Sequence, residues 1–224
     1  MAKEKSILTP HQRAVLDAIA REKYFTDRYY LAGGTALAQF HLGHRLSEDL
    51  DFFIEQSEVA PFPILTFFKS HARVLGIARW ETKRVMGLYT FFLHFDDGEV
   101  LKVDFNYYPF PLIERGMRYH GLQIESAYDI GVDKVHTIAM RARARDFIDV
   151  YFIVRERGYD IHDLLMQAKA KFDWDISAMD LGARFLEAAE ARDYPRMLKP
   201  IDHQEWKDFF VEEARKLKKQ IFKP

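Results

Sequence analysis

The sequence predicts an α/β (α+β) fold, a mixed sheet with flanking helices followed by a helical C-terminal region. Three observations lead there. Leu50, Phe52 and Ile54 alternate with Asp49, Asp51 and Phe53, the two-residue period of a strand. Two further strand-like runs, residues 88–95 and 99–107, meet at Asp96-Asp97-Gly98, a hairpin signal. Beyond about Tyr128 strand signals fade, and apolar residues recur at helical spacing through Val135, Ile138, Phe147, Val150, Leu164, Phe185 and Phe210. The expected division is residues 1–125 as the core unit and residues 126–224 as the helical region, with a seam near Ser126.

Each element has a local reason. Thr9-Pro10-His11-Gln12 reads as a helix start, with Thr9 as cap, Pro10 at the first helical position and Gln12 closing a capping box. Val15, Leu16 and Ile19 carry that helix to about Arg21. Tyr29-Tyr30-Leu31-Ala32 is a short apolar run that stops at Gly33-Gly34; residues 35–42 then look helical, and Gly43 ends them. Pro61–Leu75 is a second helix candidate. Within 99–107, Leu101, Val103, Phe105 and Tyr107 share one face, while Lys102, Asp104 and Asn106 share the other.

Composition narrows the chemistry. The chain has no cysteine, which excludes disulfides, thiolate zinc sites and a cysteine nucleophile, and leaves oxygen or imidazole as metal ligands. The opening Met1-Ala2-Lys3-Glu4-Lys5 leads into a polar stretch without the apolar region of a secretory signal, and no apolar run nears the roughly 20 residues that span a bilayer. A cytoplasmic location with no membrane partner is the expectation. With 33 basic and 34 acidic residues there is no global charge footprint for nucleic acid. Basic residues do cluster locally, at Arg141, Arg143 and Arg145 and at Arg215, Lys216, Lys218, Lys219 and Lys223; each cluster is either a solvated face or a phosphate-facing patch.

Asp49 and Asp51, two residues apart on a strand, send both carboxylates from one face with Cα atoms about 7 Å apart. Two such anions repel, by roughly 4 kcal/mol at ~4 Å and an effective dielectric near 20. A hard divalent cation, Mg²⁺ or Mn²⁺, relieves that repulsion. Asp104, on the polar face of its own strand, is the natural third carboxylate, as metal ligand or as base for an acceptor hydroxyl. Upstream, a glycine pair opening a helix presents backbone N–H groups to phosphate oxygens, and Thr35 adds a hydroxyl. A phosphate cradle one helix before paired carboxylates suits a metal–nucleoside triphosphate.

The run LAGGTALAQFHLGHRLSEDLDFF, residues 31–53, closely resembles the first motif of the AbiEii/AbiGii toxin family of nucleotidyltransferases, within the DNA polymerase β-like superfamily. His44-Arg45 and Ser47 resemble that family in particular, and DKVHTIAMRARARDFIDVYFI, residues 133–153, resembles its later motifs. The resemblance implies a nucleotidyltransferase catalytic core whose active-site cleft is completed by the C-terminal helical region. It gives Gly33, Gly34 and Thr35 to the nucleotide phosphates, Asp49 and Asp51 to the catalytic metals, and Lys134 to the triphosphate. Asp146 or Asp149, one helical turn apart, would match the last acidic motif, and the resemblance leaves the choice open. His41 reads as a helix-face or core histidine; His44 and Arg45 either touch substrate or tie down the loop before the catalytic strand.

The expected activity is NTP- and metal-dependent transfer of a nucleoside monophosphate to an acceptor hydroxyl. The resemblance implies the toxin half of a toxin–antitoxin or phage-defence pair, with a cognate antitoxin and with RNA, such as tRNA, as acceptor. The alternatives are a small-molecule or protein acceptor and, from a different class, a non-catalytic partner-binding module with the same fold.

Overall fold

The computed structural model describes residues 6–221, with side chains as far as Leu217, and divides into two compact units. One comprises Met1–His41 with Ser47–Glu125; the other comprises Leu42–Leu46 with Ser126–Pro224. The main boundary falls at Ser126, and five residues ahead of Asp49, Leu42–Leu46, also group with the C-terminal helices. Lys223 and the residues Met1-Ala2-Lys3-Glu4-Lys5 lie outside the described residues, as do the side chains of Lys218 and Lys219.

In the first unit, helix α1 (Pro10–Ile19) begins at the capping box that its sequence spells: the Thr9 hydroxyl accepts from the Gln12 N–H, and the Gln12 side chain accepts from the Thr9 N–H. Buried Gln12 also donates its amide to the carbonyls of Ser47 and Glu48, at 2.8 and 3.0 Å, and so holds the chain just before Asp49. Helix α2 (Lys23–Thr26), strand β1 (Tyr30–Ala32) and helix α3 (Gly33–Ala36) follow. The α-helix expected through 35–42 starts earlier, at Gly33, and widens into a π-helical turn over Leu37–Leu42. Such turns admit one extra residue and recur near functional sites. Next come β2 (Leu50–Ile54), α4 (Pro61–Leu75), β3 (Ile77–Val85), β4 (Leu88–Phe95), β5 (Val100–Tyr107), β6 (Arg118–Tyr119) and β7 (Leu122–Ile124).

The strands form one mixed sheet in the order β3-β4-β5-β2-β1-β7-β6. Central β2 runs antiparallel to β1 and parallel to β5, in a register that sets Asp51 beside Asp104. Residues alternating with the acids turn to the opposite face, where Phe52 stacks on Phe105 with centroids 5.2 Å apart. Phe25, Phe67, Phe68 and Phe91 pack around that pair. Each fully buried ring of this kind is worth about 1.5–3 kcal/mol, so the aromatic layer makes the acid-bearing strands a rigid platform.

The second unit is helical: α5 (Ala127–Arg141), α6 (Ala144–Arg157), α7 (Ile161–Phe172), α8 (Ala178–Leu186) and α9 (His203–Ile221). Ser126 caps α5 by accepting from the Asp129 N–H at 2.9 Å. Phe147, Phe185, Trp206 and Phe210 fill the core. No helix among the described residues is long and apolar enough to cross a membrane.

Candidate active site

The predicted residues fall into two constellations, one in each unit. The first is built on β2, β5 and the turn after β1. Asp49, just ahead of β2, and Asp51 within it are partly exposed, and Asp104 on β5 is 7% exposed. Register sets Asp51 beside Asp104, and Lys102 links Asp49 to the same group. Between them sits a cation that belongs to no motif: Lys102 Nζ lies 2.5 Å from Asp104 Oδ2 and 3.2 Å from Asp49 Oδ2. Burial works against that ammonium, yet the carboxylates of Asp104, Asp49 and Asp51 outweigh it and raise its pKa above the ordinary lysine value. Asp104 Oδ1 is buried and has no hydrogen-bond partner among the described residues.

Gly33 closes one side of this constellation. Its φ of +69° favours glycine, and a Cβ there would meet Asp51 Oδ2 at 2.8 Å. The missing side chain is therefore what lets the turn approach the carboxylate. The Gly33 N–H does not stand open for a phosphate: it donates to Glu125 Oε2 at 3.3 Å. Glu125 is itself buried at the end of the unit, its N–H donating to the Leu31 carbonyl at 2.9 Å, and its own carbonyl lies 2.7 Å from His41 Nε2. Thr35 likewise departs from the expectation. Its hydroxyl, assigned by resemblance to the phosphates, is fully buried and donates to the carbonyl of Asp49, so it fixes the entry to β2. Among the first-turn N–H groups of α3, those of Gly34 and Thr35 have no acceptor within the helix.

The second constellation centres on Asp149, which is fully buried. Arg45 grips its carboxylate with two nitrogens, Nε at 2.6 Å from Oδ1 and a terminal nitrogen at 2.8 Å from Oδ2. His44 Nε2 lies 2.8 Å from Oδ1, and Lys134 Nζ 3.0 Å from Oδ2. Burial alone would raise this carboxyl's pKa, but Arg45 and Lys134, with the hydrogen bonds from Arg45 and His44, hold it well below the usual range. Lys134, given by resemblance to the triphosphate, has its ammonium 2.6 Å from Asp146 Oδ1 as well, and it is itself mostly buried. Burial disfavours its charge, and Asp149 and Asp146 more than offset that, raising its pKa. Asp146 also caps α6, accepting from the Arg143 N–H at 3.1 Å. Both acids of the last motif are thus engaged within the helical unit, where His44 and Arg45 tie down the segment Leu42–Leu46.

A family model described as the nucleotidyl transferase AbiEii toxin of type IV toxin–antitoxin systems matches residues 14–213. The chain belongs to the AbiEii nucleotidyltransferase toxin family. An uncharacterised protein of Aquifex aeolicus is 32% identical over 169 residues, which are 74% of this chain and 76% of that protein. The crystal structure of JHP933 from Helicobacter pylori superposes with a TM-score of 0.59 at 20% identity, over 93% of this chain and 90% of that one. A second H. pylori crystal structure gives the same TM-score and identity over 95% and 97% of the two chains. At that identity the structural likeness is one of fold, and the fold is that of a nucleotidyltransferase.

Within this AbiEii-family chain, two participants escaped the motif reading. Lys102 had a visible signal, since it lies two residues before Asp104 on the same polar strand face. Glu125 had none, because the N–H that it receives comes from Gly33, 92 positions away. The exposed guanidinium groups of Arg141, Arg143 and Arg145 flank the α5–α6 turn of this AbiEii-family protein as a surface cluster.

Proposed function

We propose that this nucleotidyltransferase moves a nucleoside monophosphate from a nucleoside triphosphate to a hydroxyl of an RNA acceptor, such as tRNA, with divalent metal held by Asp49, Asp51 and Asp104. The observation that carries the reading is the convergence of three carboxylates about Lys102, beside a glycine turn packed too closely against Asp51 to admit a side chain. The residues fit a hard cation. All three donors are carboxylate oxygens, Asp104 Oδ1 is a buried acceptor without a partner among the described residues, and an ammonium already sits between two of the acids. Mg²⁺ or Mn²⁺ bound there would neutralise phosphate charge and polarise the α-phosphate for attack.

The chain's own groups do the rest. The N–H groups at the start of α3 supply positive dipole to phosphate oxygens. Thr35, through the Asp49 carbonyl, and Gln12, through the carbonyls of Ser47 and Glu48, hold the entry to β2 so that Asp49 keeps its place opposite Lys102. Asp104 Oδ1 is the buried oxygen available to a cation or to the acceptor's proton. The family description, a nucleotidyl transferase toxin of type IV toxin–antitoxin systems, supports a biological frame in which this chain is the toxin half of a pair with a cognate antitoxin. The exposed cluster of Arg141, Arg143 and Arg145 supports a polyanionic acceptor.

Incubation of the protein with each labelled nucleoside triphosphate, Mg²⁺ and total RNA tests the proposal directly. Label enters an RNA band with one preferred nucleotide, and Asp51→Ala abolishes it. Label retained on protein or on a small molecule instead moves the acceptor to the corresponding class. No incorporation with any nucleotide overturns the enzymatic reading.

A further inference from the structure

Lys102 sits on two of the carboxylate oxygens that the proposed metal site offers. Its ammonium lies 2.5 Å from Asp104 Oδ2 and 3.2 Å from Asp49 Oδ2, and these are oxygens of the proposed metal-binding carboxylates. A divalent ion of the size of Mg²⁺ binds oxygen at about 2.0–2.1 Å. An ion on these two oxygens would displace the ammonium for lack of space, and an ion on Asp104 Oδ1 would repel it at close range. The lysine is also free to leave. Its side chain is 34% exposed, and its strand neighbour across β4, Phe92, shares the open face and is only partly buried.

We infer that Lys102 is an exchangeable counter-ion: it holds Asp49 and Asp104 together until a divalent cation enters, then swings out, so that its departure sets the affinity of the site for metal. This rests on the metal reading above. The arrangement has two consequences of opposite sign. Removing the ammonium takes away a competitor and so strengthens metal binding. It also leaves Asp49, Asp51 and Asp104 facing one another without a cation, which weakens the protein when chelator is present. A lysine that served only to brace the strand would produce the second effect without the first.

The test measures Mn²⁺ binding to the full chain by loss of the free-ion paramagnetic resonance signal, beside thermal melting in EDTA and in Mn²⁺. Lys102→Met and Lys102→Gln are expected to bind Mn²⁺ about tenfold more tightly than the parent, to melt lower in EDTA, and to gain more than the parent from added Mn²⁺. Lys102→Arg, which keeps the charge, should stay within about threefold of the parent. If the uncharged variants unfold in EDTA but refold with Mn²⁺, the ion has replaced the ammonium, as inferred. Affinity that is unchanged or weaker in folded Lys102→Met and Lys102→Gln overturns the exchange, as does unfolding that Mn²⁺ does not rescue. The metal reading fails separately, if neither the parent nor the uncharged variants bind Mn²⁺ at millimolar concentration.

Discussion

Two clusters of carboxylates and cations lie in the two units of this molecule, and they are built to different ends. Around Asp149 every charge is matched: one buried carboxylate receives a bidentate arginine, a histidine and a lysine, and that lysine is shared with a second acid. On the sheet the balance is reversed, for the acids of Asp49, Asp51 and Asp104 outnumber the one lysine set among them, and one acid oxygen stays without a partner among the described residues. Saturated charge in a dry interior fixes geometry. Surplus charge of one sign, partly open to water, is poised to take a ligand.

The largest expected effect sharpens that contrast. Asp51→Asn should reduce nucleotide incorporation about a thousand-fold or more, roughly 4 kcal/mol of barrier, while melting stays at or above the parent value because one of several repelling charges is gone. A fall in melting temperature with activity retained would place Asp51 among the structural acids instead. Comparable in energy but opposite in kind, Asp149→Asn leaves Arg45 and Lys134 buried with less anionic charge to face. It should cost about 3–5 kcal/mol of stability, read from the urea midpoint. An unchanged midpoint would show that the Asp149 cluster braces nothing.

Gly33→Ala comes next. The substitution forces an L-residue to φ +69° and drives its Cβ to 2.8 Å from Asp51 Oδ2. The strain is about 1–2 kcal/mol, and incorporation should fall further than stability does, since the displaced group is the acid itself. The smallest effect is invisible at neutral pH. The folded-state pKa of Asp149 lies well below its unfolded value, so its stabilisation is fully present above about pH 3.9 and disappears as pH falls through the folded value. The difference in melting temperature between the parent and Asp149→Asn should therefore be flat above pH 5 and shrink in acid. A difference that instead grows on acidification breaks the assignment of Asp149 as the ionised centre of its cluster.

The legible parts of this fold are those with one wet and one dry face. β2 and β5 alternate because their Phe52 and Phe105 sides meet the core while their acid sides do not, and Thr9 with Gln12 spells a helix start within four residues. β3 could not be read the same way. From Ala78 to Val85 every residue is exposed except the partly buried Trp80, so the strand lacks the apolar alternation that marks β4 and β5. It exists because β4 pairs with it at the edge of the sheet. At the site, Asp49 and Asp51 announce themselves by spacing. The duties of Thr35, Lys134, His44 and Arg45 depend on partners far along the chain: Thr35 ends on a backbone carbonyl, and the other three on acids of α6. Chemical type suggested a role for each; only the partner decides it.

The bond from Gly33 to Glu125 bears on the order in which the protein is made. β1 pairs with β7, and the left-handed turn after β1 gives its N–H to a carboxylate 92 residues downstream. While the chain is being synthesised, every residue of the Gly-Gly-Thr and Asp-x-Asp motifs emerges long before that partner does. A nascent chain that stops before Leu122 lacks β7 along one side of β1 and the anchor of its glycine turn. The turn beside Asp51 thus gains its anchor only once the whole first unit has been translated.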